Sequence, residues 1–547
     1  MFIIKKYSIF AKETIKKQDN MEKNAFIDAL TSHNTYTENG AISNSSTNNV
    51  FVDQFGAISS YMDRSITSVF NDQEELWVED ILKSLKFIFY IRAISRTTNV
   101  YLNGTPKGSF IQKGQGMRDE AFKRLLWVAK NYPDIFYDNV ELLPIVGSWK
   151  DIWELMYYNY KFDLHVINHK KMFSVLVHGL ACEDTCDLVK KYMPSLIAKN
   201  KQKTLRSSFM NIVGRQFMKF MGWDEKEYRK AKSSGKAHDF QKIISNGLFD
   251  KLNWNHIPGK ALIKLVTSKF IINNNLLSSY EEWVNKQDTI KFNGHVYELG
   301  HMFNKKVYKH QDYTLNKQFE QLVRNTKANM TFNANVWCAL DTSGSMTCTY
   351  NGRKITPYDV CTSLGVFFST LNDGAFHKQV IMFDDTSYTK QLKGSFCDMM
   401  SQIPRNAMGG TNFLSVIKKI VDIRKNNPLI PLEDYPQTLL VVSDMQFNPT
   451  GGLDTNYERS KTMLLDVFPQ EFVDNFKFVW WNVATSVKDY PSQINDGGTF
   501  LLSGFDGSII SLLLGEEISK NEKKSPKTMV ELVDAALNQE IFNFLKI

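Results

Sequence analysis

The 547 residues are too many for one hydrophobic core, so two to four domains are expected, and 43% apolar with 13% aromatic content excludes a disordered or fibrous chain. No run of 18 apolar residues occurs, which excludes a membrane-spanning helix, and six cysteines in so long a chain exclude a disulfide framework in favour of reduced thiols. The net charge of +8 is modest, and its placement matters more than its size.

The opening residues Met1-Phe2-Ile3-Ile4-Lys5-Lys6 lack a useful h-region and a small-residue cleavage site, so a soluble, cytoplasmic protein is expected. The Lys-rich first 20 residues leave an organelle-targeting reading open. Residues 1–50 read as a polar, partly disordered arm: Thr31 to Val50 is rich in Thr, Ser and Asn, with Asn39-Gly40 as a turn signal. Residues 51–330 read as helical. Leu76, Ile81, Leu82, Leu85, Ile88, Phe89 and Ile91 recur near the helical period, and Asp72 with Glu75 resembles a capping box. Gly104 to Gly116 is a Gly-rich break, followed by a helix at 118–131 and another that begins after Trp149-Lys150-Asp151 and runs towards Tyr160. Further helices are expected at 168–192, 195–220, 225–235, 237–249, 259–272 and 276–287. Short helices, short loops and no strand-period runs predict a stacked helical array, although no fixed repeat period is visible.

Within that array the 53 residues from Lys190 to Lys242 hold 14 Lys or Arg against four Asp or Glu, a local balance of +10 that leaves −2 for the rest. Lys199, Lys201, Lys203, Arg206, Arg215, Lys219, Arg229 and Lys230 interleave with Phe209, Phe217, Phe220 and Trp223. Cations on phosphate with aromatics stacked on unpaired bases would make a nucleic-acid surface. The competing reading is a solvated lysine face over core aromatics. Weaker anion candidates are Gly114-x-Gly116 with Arg118 at a helix start, and Arg92 with Arg96 on one helix.

The texture changes after Thr331. Strands at 335–341, 378–384, 387–391, 437–443, 476–483 and 498–502 alternate with helices at 356–373, 395–402, 412–425, 455–467 and 506–515. Strands apolar on both faces predict a mostly parallel, doubly wound sheet over 331–518, with ligands beyond the carboxyl ends of its strands. A C-terminal linker and amphipathic helix occupy 519–547.

Asp341-Thr342-Ser343-Gly344-Ser345 directly follows the first of these strands, Gly409-Gly410-Thr411 lies in a later loop, and Asp444 ends Leu439-Leu440-Val441-Val442-Ser443. Asp341, Ser343, Ser345, Thr411 and Asp444 thus offer two carboxylates and three hydroxyls from three loops, with no His or Cys. Oxygen donors select Mg²⁺, with Mn²⁺ or Ca²⁺ as alternatives, over zinc or copper. An acidic protein ligand or a phosphate could complete such an ion's shell. The metal-free alternative has the two serines capping a turn and Asp444 capping a helix. Asp384-Asp385 at a strand end is read as a turn near the same face.

This set resembles the metal-ion-dependent adhesion site (MIDAS) of von Willebrand factor A domains, Asp-x-Ser-x-Ser with a separate Thr and a separate Asp, and the strand–helix order matches that fold. The helical part carries Lys86–Tyr90, Gly114-Gln115-Gly116-Met117-Arg118-Asp119-Glu120, Leu125-Leu126-Trp127, Pro144-Ile145-Val146-Gly147-Ser148-Trp149-Lys150-Asp151 and Trp254-Asn255-His256-Ile257-Pro258-Gly259-Lys260-Ala261. Over roughly 24–515 the chain is similar to an uncharacterised family of large DNA viruses, plants and fungi, and distantly to the Ro autoantigen (TROVE) proteins. The resemblance implies a multidomain fold, a HEAT-like helical repeat array followed by a Rossmann-like A domain. It also implies a ribonucleoprotein role in which helical repeats bind structured or single-stranded RNA. The expected function is a non-enzymatic RNA- or protein-binding scaffold in the cytoplasm, or in the virion if viral. The alternative is a metal-dependent assembly module without nucleic acid. No histidine or second metal cluster accompanies the five oxygens, and no P-loop signature appears, so an enzyme is not expected.

Overall fold

The computed structural model describes residues 35–58, 64–198, 202–235, 239–329, 335–348, 355–405, 409–484, 489–504 and 527–547. Ten strands are present among them: β1 (Thr35–Tyr36), β2 (Ile42–Ser43), β3 (Ile94–Leu102), β4 (Thr105–Gln115), β5 (Trp337–Asp341), β6 (Gln379–Phe383), β7 (Ser387–Gln391), β8 (Thr438–Ser443), β9 (Lys477–Asn482) and β10 (Thr499–Ser503). The last six form one sheet in the order β10-β9-β8-β5-β6-β7, parallel except for the edge strand β7. The chain leaves β5 to one side for β6 and β7, then crosses to the other side for β8, β9 and β10. The switch point therefore lies between the carboxyl ends of β5 and β8, where open sheets bind ligands. The expected helix at 506–515 lies outside the described residues.

The first part of the chain is mostly helical, as expected, with two corrections. Where the Gly-rich break was expected, β3 and β4 pair as an antiparallel hairpin with Leu102 opposite Thr105. Its two-residue turn, Asn103-Gly104, has φ of 52° and 70°, the left-handed pair that fits strand twist. The helical pattern around residues 72–91 is two helices, Ile66–Glu79 and Ile81–Arg92, capped by Ser65 and Asp80 rather than by Asp72. Asp72 instead pairs with Arg64 at 2.7 Å.

The polar arm also needs correcting from Thr35 onward. A turn over Thr37–Ala41 joins β1 to β2, and Asn44 forms a β-bridge with Tyr490. Buried Thr37, Ser43, Asn44 and Thr47 each make hydrogen bonds, so this polar sequence packs against the sheet part. The amphipathic helix expected in the C-terminal stretch is present over Met529–Leu537. The helix Met529–Leu537 packs on helices Val50–Gly56 and Ile81–Arg92, and Gln539 clasps the backbone N–H and C=O of Lys113 at 2.7 and 2.9 Å.

One apolar core runs through both parts, and a smaller one gathers Phe240, Trp254, Leu262, Tyr280 and Ile290. The central element is the helix Pro357–Leu371, buried along its whole length. Gly365 lets it lie against Leu340 of β5, where a Cβ would come within 2.2 Å of a leucine methyl. On its other face Asp359 accepts from Asn304 and bonds His301 at 2.8 Å, tying the sheet to the helix Val296–Asn304. No helix among the described residues is long and apolar enough to cross a membrane. All six cysteines are free.

Candidate metal centre

The β5–β8 register places Leu340 beside Val442, so Asp341 and Ser443 are neighbours at the strand ends. The Ser443 hydroxyl donates to Asp341 Oδ2 at 2.5 Å, and the Ser343 amide donates to Asp341 Oδ1 at 2.9 Å. The Ser343 and Ser345 hydroxyls are 3.2 Å apart, and Ser345 bonds the Asp444 carboxylate. Asp341, Ser343, Thr411 and Asp444 are all buried. After Asp444 the chain turns back through Met445 at φ 63°, a left-handed conformation unusual for so bulky a residue. The Gln446 amide then caps Asp444 Oδ1 at 3.2 Å.

Thr411 arrives on a loop pinned from two sides. The Gly410 amide donates to Asp385 Oδ1 at 2.8 Å, and the Asn412 amide donates to the Asp384 carbonyl at 2.7 Å. Thr411 and Asn448 exchange two bonds: the Thr411 amide to Asn448 Oδ1, and the Asn448 amide to the Thr411 carbonyl at 2.9 Å. Gly409 has φ 127°, and a Cβ on Gly410 would lie 2.7 Å from Asp385 Oδ1 and 2.9 Å from Asn448 Nδ2. Both glycines are therefore required by the close approach that sets Thr411. Asp384 and Asp385 have the turn role expected of them and also brace this loop.

Burial first, and the neighbouring Asp444 charge second, push the Asp341 carboxyl up to about 7, against the opposing bonds from Ser343 and Ser443. Burial also raises Asp444, opposed by its bonds from Ser345 and Gln446, while Glu38 adds a like charge. Neither carboxylate has a Lys, Arg or His ion-pair partner among the described residues. No group of three or more His, Cys, Asp or Glu with metal-holding geometry occurs among them either. Two adjacent buried carboxylates, flanked by hydroxyls and lacking a counter-charge, fit a hard divalent cation. Cys361 lies beneath the site, its thiol directed to the Asp341 and Val442 carbonyls, and burial keeps it protonated. The residues that sequence reasoning missed here are Ser443, Gln446 and Asn448.

The basic segment is resolved differently. Phe209 and Phe217 are buried in the core, which leaves them unable to stack on bases, while Phe220 is exposed and Trp223 half-buried. Arg206 pairs with Glu154, and Arg215 and Arg229 pair with Glu225. Lys203, Lys219 and Lys230 are exposed, and Lys199 and Lys201 lie outside the described residues. A cavity of about 400 Å³ is lined by Lys191, Tyr228, Arg229 and Lys232, but Lys232 is spent on the Lys191 and Met193 carbonyls. The other anion candidates are used internally. Arg92 is buried against Asp151 at 2.5 Å, and Arg118 reaches the same carboxylate at 2.9 Å. Arg96 sits on β3, not on a helix with Arg92, and bonds the Ile145 and Gly147 carbonyls.

Residues 335–542 match the family described as "Domain of unknown function (DUF7788)", a span that starts just before β5 and takes in the C-terminal helix. The chain is also 25% identical over 523 residues to "Uncharacterized protein L728" of Acanthamoeba polyphaga mimivirus, covering 88% of this chain and 85% of that protein. The similarity thus spans helical and sheet parts together.

Proposed function

We propose that the chain is a non-enzymatic binding scaffold whose sheet part is a von Willebrand factor A-like domain that engages an acidic protein partner through a divalent cation. The observation that carries this reading is the meeting of Asp341, Ser343, Ser345 and Asp444 at the β5–β8 switch point, two carboxylates buried side by side with no cationic side chain. Those residues, with Thr411, would hold the ion. Bound there, Mg²⁺ offers an electrophilic coordination position to an incoming carboxylate. The chain's own residues do the rest: Ser443 and the Ser343 amide orient Asp341, Gln446 orients Asp444, and Asn448 holds the Thr411 loop.

In this proposal the helical part is a distant relative of the Ro-type repeat arrays, and its basic segment is the candidate RNA surface. Core placement of Phe209 and Phe217, and the arginine ion pairs, leave that role to Lys203, Lys219 and Lys230, and favour the second reading, a metal-dependent protein-assembly module without nucleic acid. Two measurements test the proposal. Mg²⁺-dependent thermal shifts of wild type and Asp341→Ala should differ; an equal response in both removes the ion from the account. Binding of single-stranded and structured RNA across a salt series separates the two readings, because phosphate contacts weaken steeply with salt. No binding at low salt leaves the assembly module.

A further inference from the structure

Two anion candidates that are separate in the sequence, Arg92 with Arg96 and Arg118 behind Gly114-x-Gly116, meet in the fold around one carboxylate. Arg92 ends the helix Ile81–Arg92 with its side chain 1% exposed, and gives Nε and Nη2 to Asp151 Oδ2. Its Nη1 is buried and has no hydrogen-bond partner among the described residues. Arg118 gives Nε to Asp151 Oδ1 at 2.9 Å and is 38% exposed, so the cluster opens to solvent on its side. Arg96 comes in from β3 and bonds the Ile145 and Gly147 carbonyls through Nη2. Gly147 ties the three together: a Cβ there would lie 2.3 Å from Asp151 Oδ2 and 2.7 Å from the Arg92 guanidinium carbon.

Donor count and charge point the same way. Three guanidiniums stand around one carboxylate, an excess of two positive charges, and that carboxylate already accepts from Arg92, Arg118 and the Ser148 amide. A buried cation is costly unless an anion pairs with it. Burial lowers the Arg92 and Arg96 guanidiniums from their usual range; Asp151 opposes this in both, while Arg118 and Arg96 add to it in Arg92. Arg118 is also the N-cap of the helix Asp119–Asn131 and makes no side-chain cap, so the positive end of that helix adds to the field. The two acids of its first turn are committed elsewhere, Asp119 to Lys123 and Tyr158, and Glu120 to Arg124. Gly116, at φ 65°, has nothing within 4 Å of the place a Cβ would take, which leaves room two residues before Arg118. We propose that Arg92, Arg96 and Arg118 form a binding site in the helical part for a doubly charged tetrahedral oxyanion, a phosphate group. Guanidinium forks match phosphate oxygens in pairs, and a dianion balances the two charges that Asp151 leaves. The group is free phosphate or the terminal phosphate of a small molecule entering past Arg118.

The test is calorimetric titration of the full chain with inorganic phosphate, sulfate and phenyl phosphate, against chloride at matched ionic strength. EDTA is present throughout, so that no divalent ion at the β5–β8 switch point takes part. The proteins are wild type, Arg118→Gln, Arg96→Gln and the control Arg459→Gln, an exposed arginine of the sheet part. Phosphate and sulfate should bind wild type one to one. Arg118→Gln and Arg96→Gln should each weaken both roughly ten- to a hundredfold, the loss of one charge-assisted bond, and Arg459→Gln should leave affinity as it is. Arg118 is partly exposed, so the anion-free melting curve of Arg118→Gln should stay near wild type, and lost binding then reports the site and not the fold. Phenyl phosphate bound more tightly than phosphate supports the site as one for a phosphate monoester, and the reverse order supports it as one for the free ion. No wild-type response beyond that to chloride overturns the proposal. Wild-type affinity in both arginine variants places the anion on another surface and overturns it too. Equal weakening by Arg459→Gln reduces the effect to net charge, with the same consequence.

Discussion

Asp341→Asn removes one buried charge while preserving side-chain size, so its effect on stability should depend on pH and on the cation. In the cation-free chain the Asp341 carboxyl is raised from its ordinary 3.8 to about 7, chiefly by burial. A carboxyl raised in the folded state holds its proton more tightly there, so stability falls as pH climbs through the window between those values. Three pKa units at 1.36 kcal/mol each make roughly 4 kcal/mol of ionisation cost above the window. Asn retains one acceptor oxygen for the two bonds from Ser343 and Ser443, and the lost partner costs roughly 1–2 kcal/mol. The expected balance is a variant more stable than wild type by roughly 2 kcal/mol at pH 8 in EDTA. At pH 5, where wild-type Asp341 is protonated, that advantage disappears. Thermal melts at the two pH values read the difference directly. Adding Mg²⁺ at pH 8 should close the gap, because wild type gains about 2.7 kcal/mol at a hundredfold excess over Kd and the variant gains nothing. A variant less stable than wild type in EDTA by the same amount at both pH values would refute the reasoning.

Gly410→Ala should abolish or weaken the Mg²⁺-dependent thermal shift, because its Cβ would displace Asp385 or Asn448 and move Thr411; a wild-type shift would show that the loop accommodates a methyl. Asp151→Asn leaves Arg92 buried without its carboxylate and should cost roughly 3–5 kcal/mol in denaturant melts, the range for breaking a buried ion pair. Gln539→Ala removes both bonds to the Lys113 backbone, so roughly 1–3 kcal/mol of local stability should be lost and the C-terminal helix should become sensitive to limited proteolysis. If RNA binds at all, the triple variant Lys203→Glu, Lys219→Glu, Lys230→Glu should lose affinity in filter binding and flatten its salt dependence, whereas an unchanged salt slope would place any phosphate contacts elsewhere.

The sheet strands are legible in the sequence because strands covered on both faces become apolar runs. Trp337–Asp341 and Thr438–Ser443 are buried almost throughout, and each run stops where its polar loop begins. Asp341 and Asp444 are legible for the same reason, since a carboxylate at the end of a buried strand stands out against the residues before it. Ser443 carries a weaker form of the signal, a hydroxyl closing an apolar run, but its role depends on lying beside Asp341 in the β5–β8 register, which sequence does not give. The β3–β4 hairpin fails differently. Asn103-Gly104 is a strong turn signal, yet β3 is exposed or half-buried at every position except Val100, so the alternation that marks a strand is absent.

The turn Thr37–Ala41 lies at the far end of this scale. Its Glu38 precedes Gln446 by 408 positions and sits in a polar stretch without periodicity, so nothing local marks the segment as one that docks beside the sheet. The same polarity that reads as disorder is what lets Thr37 and Asn39 donate to the backbone around Gln446 and fix the turn there. A segment rich in Thr, Ser and Asn is disordered when its hydrogen bonds go to water and ordered when a partner surface offers unpaired carbonyls. Here the loop after Asp444 offers the Gln446 and Phe447 carbonyls, freed from sheet pairing by the backward turn at Met445. The conformation that ends the strand at the carboxylate therefore also creates the docking ground for the N-terminal turn.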